Sequence, residues 1–324
     1  MHSIPQLQEI INKAIAETKY TESPAELYAP ISYLMELGGK RMRPVLVLLS
    51  AELFGGDIRK ALDAAIGIEL FHNFTLMHDD IMDKAPLRRG KPTVHAKWSK
   101  NTAILSGDVM FVEAYKMMIR VEDVILRQVL DIFSYTASAV CQGQQADMNF
   151  EKRADVSMDE YLQMIKQKTA VLLAGSMEIG ALIGGADKHQ SKLLYEFGEN
   201  LGLAFQLQDD ILDVYGDPEK FGKQVGGDIL ANKKTFLLIT AKELAQKEDH
   251  TELARWIHGT DHEPEEKVKA ITSMYDKLGI RKLAENQMEV YVRKALGALD
   301  MISVQNDTKA LLNDFAKTLL LREK

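Results

Sequence analysis

The chain has little cysteine and little proline: one cysteine, Cys141, and eight prolines among 324 residues. A single cysteine excludes an internal disulfide framework and any metal site built from several cysteines, and we expect Cys141 to be a small core residue. No proline lies between Pro92 and Pro218, so nothing of that kind interrupts a helix there. Apolar residues in this stretch recur at three- and four-residue spacing, and alternating runs of Val, Ile and Thr are missing. The fold class predicted is all-α.

Positive charge is also in deficit, since the formal net charge is -7. Broad nucleic-acid binding needs a basic face, so the composition argues against a nucleic-acid partner. No apolar run is long enough to span a bilayer, and residues 1–17 lack the cationic start and apolar core of a signal peptide. We therefore expect no transmembrane segment and a cytoplasmic location.

The loops are short. Glycine-containing turns punctuate the chain, but none is long enough or low enough in complexity to be a domain linker. The hydrophobic content of 46% is enough for one large core or for two ordinary domains. We predict a single helical domain over residues 1–324.

Two segments carry the same acidic pattern, HDDIMD at 78–83 and QDDILD at 208–213. In a helix the first and last aspartates of each segment are one turn apart on one face. Each segment follows an apolar stretch, where unpaired carboxylates are costly to bury, so a cation is needed to offset them. Mg²⁺ prefers a few carboxylates with waters and substrate phosphate oxygens. The alternative is that each cluster is a solvated helix surface. The predicted magnesium site is lined by Asp79, Asp80, Asp83, Asp209, Asp210 and Asp213.

Basic residues lie in or beside glycine-containing turns near both clusters: GGKRMRP at 38–44, LRRGKPT at 87–93 and GKQVGGDILANKKT at 222–235. Arginine grips phosphate oxygens in a bidentate manner, and a metal ion neutralises the remaining charge. Taken alone, each basic pair would be an ordinary surface feature. Beside two aspartate clusters, they indicate a site for a diphosphate.

These motifs, in this order, resemble the trans-prenyl diphosphate synthases of the polyprenyl synthetase family. Lys168 and Thr169 and the segment FQLQDDILD belong to the same pattern, which runs from about Gly38 to Lys234. The resemblance implies a single-domain isoprenoid-synthase-type helical bundle around a deep central cavity. It also implies a Mg²⁺-dependent head-to-tail condensation of isopentenyl diphosphate with an allylic prenyl diphosphate, carried out by a homodimer.

The resemblance assigns roles to individual residues. The implied Mg²⁺ ligands, for three expected ions, are Asp79, Asp83 and Asp209. The implied catalytic set adds Asp80, Asp210, Asp213, Lys168 and Lys233. Isopentenyl diphosphate is expected at Lys40, Arg43, His72 and Arg89. The allylic diphosphate is expected at Arg88, Lys168, Thr169, Gln206, Lys223 and Lys233. Supporting roles are expected for Gln144, Asp147 and Phe205. Asn232 stands where many members have glycine, which changes the local shape of the loop.

Product length depends on a bulky side chain that closes the cavity beside the first aspartate helix. Phe74 and Phe71 lie five and eight residues before Asp79, or roughly 7 and 12 Å along a helix. Farnesyl-making members tend to add a second aromatic at the position of Thr75 or two extra residues inside the first motif, and this sequence has neither. The pattern predicts a twenty-carbon product, geranylgeranyl diphosphate, with farnesyl diphosphate second. The alternative is that Phe71 and Phe74 are only core residues.

Two other functions fit part of the pattern. A class I terpene cyclase shares the fold and the first motif, but its second metal motif typically mixes Asn or Asp with Ser or Thr and Glu. A non-catalytic subunit of a two-component synthase would have decayed aspartate motifs. The intact DDILD segment, together with Lys40, Arg43 and Arg89, favours condensation over both.

Overall fold

The computed structural model describes residues 1–217, 225–247, 251–259 and 263–320, and these residues are almost entirely helical. The all-α prediction is confirmed. The helices are α1 (Ile4–Glu17), α2 (Ala25–Glu36), α3 (Met42–Leu53), α4 (Ile58–Met82), α5 (Val94–Lys97), α6 (Lys100–Met118), α7 (Asp123–Glu151), α8 (Met158–Ile165), α9 (Val171–Ile183), α10 (Lys188–Tyr215), α11 (Gly227–Leu230), α12 (Phe236–Lys247), α13 (Thr251–His258), α14 (Pro264–Lys277), α15 (Ile280–Met301) and α16 (Asn306–Leu320). A single π-helical turn, π1 (Lys166–Ala170), joins α8 to α9.

The chain divides into two compact units. Unit 1 comprises Met1–Ala137, Gly175–Tyr195 and Ser303–Thr308. Unit 2 comprises the described residues of Ser138–Ala174, Glu196–Ile302 and Lys309–Lys324. The sequence predicted a single domain and a central cavity, and both stay predictions.

Helix α4 is the element of unit 1 that carries the first aspartate motif. The Asp57 carboxylate accepts a hydrogen bond from the Arg59 N–H and so caps the N-terminus of the helix. The middle of α4 is buried on nearly every side, from Ala64 to Phe71, because neighbouring helices of unit 1 pack around it. Gly67 allows one of them to come close, since a Cβ there would lie 3.0 Å from the Ala114 carbonyl oxygen of α6. Tight packing of this kind fixes the helix, and therefore the motif at its end.

The only strands among the described residues form a two-stranded antiparallel hairpin of β1 (Leu87–Arg88) and β2 (Lys91–Pro92). Its turn residues, Arg89 and Gly90, have φ angles of 53° and 73°. Two successive positive φ angles are typical of a type I′ turn, which suits the twist of a tight hairpin. The strand residues on either side of this turn, Arg88 and Lys91, are basic, and the turn residue Arg89 is a third cation.

Helix α10 is the corresponding element of unit 2. Its Leu203, Leu207 and Ile211 are spaced by one turn and are buried in one cluster with Tyr161 of α8 and Phe236 of α12. Each fully buried Leu or Ile of this kind contributes about 1.5–3 kcal/mol. The apolar side of α10 thus holds the second aspartate motif in register with α8 and α12.

Helix α7 is the one described helix long and apolar enough to cross a membrane by length and composition, and a third of its most apolar window is buried. Core helices of soluble proteins pass the same test, so the expectation of no transmembrane segment stays a prediction, as does the cytoplasmic location. The sequence was wrong about Cys141, which is exposed on this helix rather than buried in the core.

Candidate active site

The first aspartate motif ends α4, and its three carboxylates differ in exposure. Asp79 is half-buried and Asp83 is exposed, and the Asp83 N–H donates to the Asp79 carbonyl over 2.8 Å. Asp80 is only 3% exposed and accepts hydrogen bonds from Arg88 Nε (2.9 Å to Oδ2) and Nη2 (2.7 Å to Oδ1). Bidentate pairs between arginine and carboxylate are strong and directional. The fold therefore uses Asp80 to hold Arg88.

The same hairpin places Arg89 against the glycine pair, Gly38 and Gly39, of the GGKRMRP segment. Arg89 Nη1 donates a hydrogen bond to the Gly38 carbonyl. A Cβ at Gly39 would lie 2.8 Å from Arg89 Nη2, so a side chain there would push the guanidinium away. Glycine is needed at this position because a cation packs directly against the backbone.

Arg89, Arg43 and His72 form a cationic cluster in unit 1, because the charges of both arginines act on the His72 ring. Arg43 Nη1 donates to His72 Nε2 over 3.2 Å, which requires that nitrogen to be unprotonated. Burial, and then the nearby charges of Arg43 and Arg89, hold the pKa of His72 well below its usual range. His72 is thus a neutral member of the group, and its role is to orient Arg43 rather than to add charge.

Lys40 is exposed and directly follows the glycine pair against which Arg89 packs. Its backbone carbonyl accepts a hydrogen bond from Gln8 Nε2 of α1 over 3.0 Å. Lys40, Arg43, His72 and Arg89, the four residues predicted to bind isopentenyl diphosphate, all belong to unit 1 and are connected through the glycine-containing loop and α4.

The second aspartate motif lies on α10 in unit 2. Asp210 is 4% exposed, and its carboxylate accepts hydrogen bonds from Tyr161 Oη (2.5 Å), Gln206 Nε2 (3.2 Å) and the Phe236 N–H (3.3 Å). Burial raises the pKa of Asp210 to about 7, although the Tyr161 hydroxyl acts in the opposite direction. Asp210 therefore connects α8, α10 and the start of α12.

Asp209 and Asp213 flank this buried carboxylate and are both half-buried. Asp213 Oδ2 accepts a hydrogen bond from the Asp228 N–H over 2.9 Å, and the Asp213 carbonyl accepts one from the Gly226 N–H over 2.6 Å. Asp213 thereby fixes the segment that leads into α11. Asp210 and Asp213 thus both have structural roles in unit 2.

The predicted Lys168 and Thr169 lie in the π-helical turn π1. Single π-helical turns inside α-helices are frequently found at functional sites. Lys168 Nζ is 2.5 Å from Asp147 Oδ2, and Thr169 Oγ1 donates to Gln206 Oε1 over 3.1 Å. Asp147 and Gln206, both named from the sequence, are therefore the residues that orient this pair.

Lys233 follows α11 and faces carboxylates of unit 2. Its Nζ lies 3.9 Å from Asp228 Oδ1, and its side chain is 44% exposed. Desolvation acts to lower the pKa of Lys233, but the negative charges of Asp228 and Asp147 act against it, and the net shift is upward. Lys233 is therefore a firmly protonated cation. Lys223, the other lysine predicted for the allylic diphosphate, lies outside the described residues.

Magnesium was predicted at the aspartate motifs, and the side chains fit that ion. No group of three or more His, Cys, Asp or Glu side chains within the described residues is arranged to hold a metal. Mg²⁺ is usually held by one or two carboxylates and takes its other ligands from water and substrate phosphates. Asp79 and Asp83, one turn apart at the end of α4, fit that requirement within unit 1, and Asp209 is a half-buried carboxylate of unit 2.

An aromatic cluster surrounds the proposed chain-length residues on α4. Phe71 is fully buried, and Phe74 is half-buried and stacks on Phe111 of α6 with ring centroids 5.1 Å apart and planes 11° apart. At 100° per residue, Thr75 lies about 40° around α4 from Asp79, Phe71 about 80° and Phe74 about 140°. Phe74 therefore does not share a face of α4 with Asp79, and its ring can act on the space beside the aspartates only together with the residues packed against it.

Sequence reasoning missed three residues that organise the site: Arg41, Tyr161 and Phe111. Each acts on a residue far away in the chain, at Glu69, Asp210 and Phe74 respectively. Arg41 alone had an available signal, because it lies inside GGKRMRP. Tyr161 and Phe111 lie in ordinary helical patterns that carry no such mark.

Comparison with known proteins places these features in a family. The polyprenyl synthetase model matches residues 24–275. A geranylgeranyl diphosphate synthase from Methanosarcina mazei is 38% identical over 315 residues, which cover 97% of this chain and 95% of that protein. A geranylfarnesyl diphosphate synthase from Natronomonas pharaonis is 35% identical over 99% of this chain and 97% of its own length.

A solved structure of a geranylgeranyl pyrophosphate synthase is 44% identical, covers both chains completely and has a TM-score of 0.95. The family match, the relatives that align along nearly the whole chain and this shared fold agree with one another. This chain belongs to the polyprenyl synthetase family of prenyltransferases.

Proposed function

We propose that this chain condenses isopentenyl diphosphate with an allylic prenyl diphosphate, and that its main product is geranylgeranyl diphosphate. The observation that carries the proposal is the cationic cluster of unit 1, in which Arg43 donates to a neutral His72 of α4 and Arg89 donates to the Gly38 carbonyl, two residues before Lys40. A diphosphate that lacks a metal partner needs such a group of fixed cations.

In the proposed reaction, the C1–O bond of the allylic diphosphate breaks and leaves an allylic cation and a diphosphate anion. The alkene of isopentenyl diphosphate then attacks C1 of that cation through its own C4, and a proton leaves C2. The departing diphosphate is the acceptor of that proton, so the reaction needs no side-chain nucleophile.

The largest developing charge is the one on the departing diphosphate. Arg88, fixed by Asp80, and the cations Lys168 and Lys233 bind that charge in the proposal, a preorganised electrostatic effect worth several kcal/mol. Enzymes of this family depend on magnesium. We assign Asp79, Asp83 and Asp209 as its ligands for three ions, which would neutralise the diphosphate oxygens when bound.

The allylic cation must meet no competing nucleophile. The hydroxyl of Thr169 and the amide of Gln206 are hydrogen-bonded to each other, and Gln206 is bonded to Asp210 in turn, so neither is free to rotate toward the cation. With the half-buried ring of Phe205, they provide weak, fixed dipoles and a π face.

The test is an incubation of the purified chain with Mg²⁺, isopentenyl diphosphate and, in turn, dimethylallyl, geranyl and farnesyl diphosphates. A dominant twenty-carbon diphosphate is expected. A fifteen-carbon or a much longer main product would keep the chemistry and overturn the length assignment. Absence of elongation with every primer would overturn the function and favour a cyclase or a non-catalytic subunit.

The length assignment has its own test, because Phe74 touches Phe111 face to face. Phe74→Ala should lengthen the main product by one or more five-carbon units. Phe111→Ala should shift it in the same direction if the stacked pair acts as one floor. Tyr115→Ala, which removes a ring that packs edge-on against Phe111 and Phe133, is the matched control and should leave the product unchanged. An unchanged product in both phenylalanine variants would place the floor elsewhere.

We further propose that the chain is a homodimer that forms through α6. Leu105, Val112 and Ile119 are seven residues apart, so they lie along one face, and their exposed fractions are 58%, 53% and 53%. Three exposed large apolar side chains in a row along one helix face favour an interface over a solvated helix. Light scattering after gel filtration should give twice the chain mass of 36.4 kDa. Val112→Glu should shift it toward the monomer, whereas a monomeric wild type would refute the dimer.

A further inference from the structure

Arg41 is the buried residue in a loop of exposed or half-buried cations. It is 5% exposed, while Lys40 before it is exposed and Arg43 after it is half-buried. Its backbone has a φ of 47°, in the left-handed region that non-glycine residues seldom adopt. A strained residue of this kind persists only where the surroundings hold it.

The surroundings of Arg41 do hold it, through two hydrogen bonds from one guanidinium. Arg41 Nη1 is 2.5 Å from Glu69 Oε1, and Arg41 Nη2 is 2.5 Å from the Met35 carbonyl oxygen at the end of α2. The side chains of Arg41 and Glu69 are each only 3% exposed. One cation therefore joins the end of α2, the glycine-containing loop and α4.

Glu69 is itself held in place by α4. The Asn73 amide, one turn further along the helix, donates to Glu69 Oε1 over 3.1 Å and to the Glu69 carbonyl over 2.8 Å. Asn73 is fully buried. The carboxylate that receives Arg41 thus has two donors and a fixed rotamer.

The Arg41–Glu69 contact has a second contact to α4 beside it, made from the first turn of α3. Arg43, two residues after Arg41, donates to His72, three residues after Glu69. The first contact is buried and ionic, and the second is half-buried and belongs to the cationic cluster. Because Arg41 is the residue directly before α3 and Arg43 lies in the first turn of α3, loss of the first contact would allow Lys40 and Arg43 to move relative to His72.

We propose that Arg41 and Glu69 are positioning residues for isopentenyl diphosphate: their ion pair fixes the loop so that Lys40, Arg43 and Arg89 are preorganised, without touching the substrate. This inference rests on the proposed function. In this proposal the charge of Arg41 stabilises the fold, whereas the charges of the neighbouring cations bind the ligand.

A purely structural role would give a different result, and stability can be separated from positioning. Breaking a buried ion pair leaves one charge uncompensated, whereas replacing both partners with apolar residues often restores stability. The single variants are Glu69→Gln and Arg41→Leu, and the double variant is Arg41→Leu with Glu69→Leu. The matched control is Glu178→Gln, which removes another buried carboxylate of unit 1, 3% exposed and paired with Lys192.

We expect KM for isopentenyl diphosphate to rise about tenfold or more in the single variants, with kcat and KM for the allylic substrate within about threefold of wild type. The double variant should recover thermal stability and still show the raised KM. Glu178→Gln should lose stability without a change in KM. Calorimetric titration with isopentenyl diphosphate should give a Kd that follows the same order.

A KM for isopentenyl diphosphate within about threefold of wild type in the folded double variant would overturn the inference. That variant decides the question even if the single variants do not fold. If wild type itself consumes no isopentenyl diphosphate, the proposed function fails instead, so the two failures are distinguishable.

Discussion

Asp80 in the first aspartate motif and Asp210 in the second occupy the same place in nearly the same six-residue sequence, and both are buried. Asp80 is paired with a cation, Arg88, through a bidentate contact. Among the described residues, the donors to Asp210 are neutral: a tyrosine hydroxyl, an amide and a backbone N–H. The same motif is therefore fixed by charge pairing in unit 1 and by hydrogen bonding in unit 2.

This difference bears on what each motif can do. In unit 1 the middle aspartate places a cation, Arg88, beside the outer carboxylates. In unit 2 it joins three helices and, within the part of the chain that the structure describes, is not paired with an arginine. The cations Lys168 and Lys233 are held by other carboxylates, Asp147 and Asp228. The outer aspartates carry out the proposed metal chemistry in both units, and the middle ones build the site.

The largest expected effect comes from the outer aspartates, where the two motifs should behave alike. Asp79→Ala and Asp209→Ala should each lower kcat by roughly 10²–10³-fold or more, the loss expected when one preorganised electrostatic group is removed. Steady-state kinetics at saturating Mg²⁺ measures it. Asp187→Ala, which removes only the helix-capping carboxylate at Gln190, is the control and should cost stability alone. Normal turnover in either motif variant would refute the metal assignment.

The middle aspartates should differ from each other. Asp80→Asn leaves the guanidinium of Arg88, whose side chain is 25% exposed, without its charge partner, and should cost about 3 kcal/mol of unfolding free energy. Asp210→Asn keeps an acceptor for neutral donors and should cost about 1–2 kcal/mol. Urea unfolding at neutral pH compares the two variants.

The double variant Asp80→Asn with Arg88→Gln sharpens this comparison. Removing both charges should recover part of the unfolding free energy that Asp80→Asn alone loses, but it should not restore turnover. Equal costs for Asp80→Asn and Asp210→Asn would mean that the charge of Arg88 contributes nothing beyond an ordinary hydrogen bond.

Tyr161 should have a smaller effect that is confined to the second motif. Tyr161→Phe keeps the ring in its buried cluster and removes only the donor to Asp210, which should cost about 1 kcal/mol and lower kcat a few-fold. Tyr115→Phe in unit 1 removes a hydroxyl that bonds Ser134 and should leave kcat unchanged. If the two variants reduce kcat equally, the hydrogen bond to Asp210 does not position the motif.

The helical fold and the spacing within each motif could be predicted from the sequence because both are local. Asp79 and Asp83 are one turn apart in any helix, and a loop around Gly90 follows from the glycine and prolines of the segment KAPLRRGKPT. The roles of Asp80 and Asp210 could not be told apart, because the partners that differ are elsewhere in the chain. Tyr161 is 49 residues from Asp210, and Arg41 is 28 residues from Glu69.

The shape of the KT segment was also beyond sequence reasoning. A π-helical turn differs from an α-helical one by a single residue, and apolar spacing over residues 158–185 does not resolve that difference. The structure also shows why glycine is needed at position 143, since a Cβ there would collide with the backbone at Lys168. That close approach allows Asp147 to reach the Lys168 ammonium group.

The smallest expected effect concerns the backbone conformation of Asn232 in unit 2, which we compare with that of Arg89 in unit 1. Asn232 has a φ of 50°, and its side chain donates to the Ile257 carbonyl over 3.1 Å and accepts from Lys267 Nζ over 2.8 Å. Asn232→Gly relieves the left-handed backbone and removes both contacts, so the net loss in stability should be about 0.5–1 kcal/mol, with kcat within about twofold.

Thermal melting and steady-state kinetics measure this change, and the two possible surprises have different meanings. A gain in stability would mean that the backbone conformation outweighs both hydrogen bonds. A large loss of kcat would mean that the shape of the loop beside Lys233 depends on the asparagine. Arg89 has nearly the same φ, 53°, but there the side chain is part of the cationic cluster. Glycine can therefore replace the residue in unit 2 and not the one in unit 1, because only Arg89 supplies a charge that the proposed reaction uses.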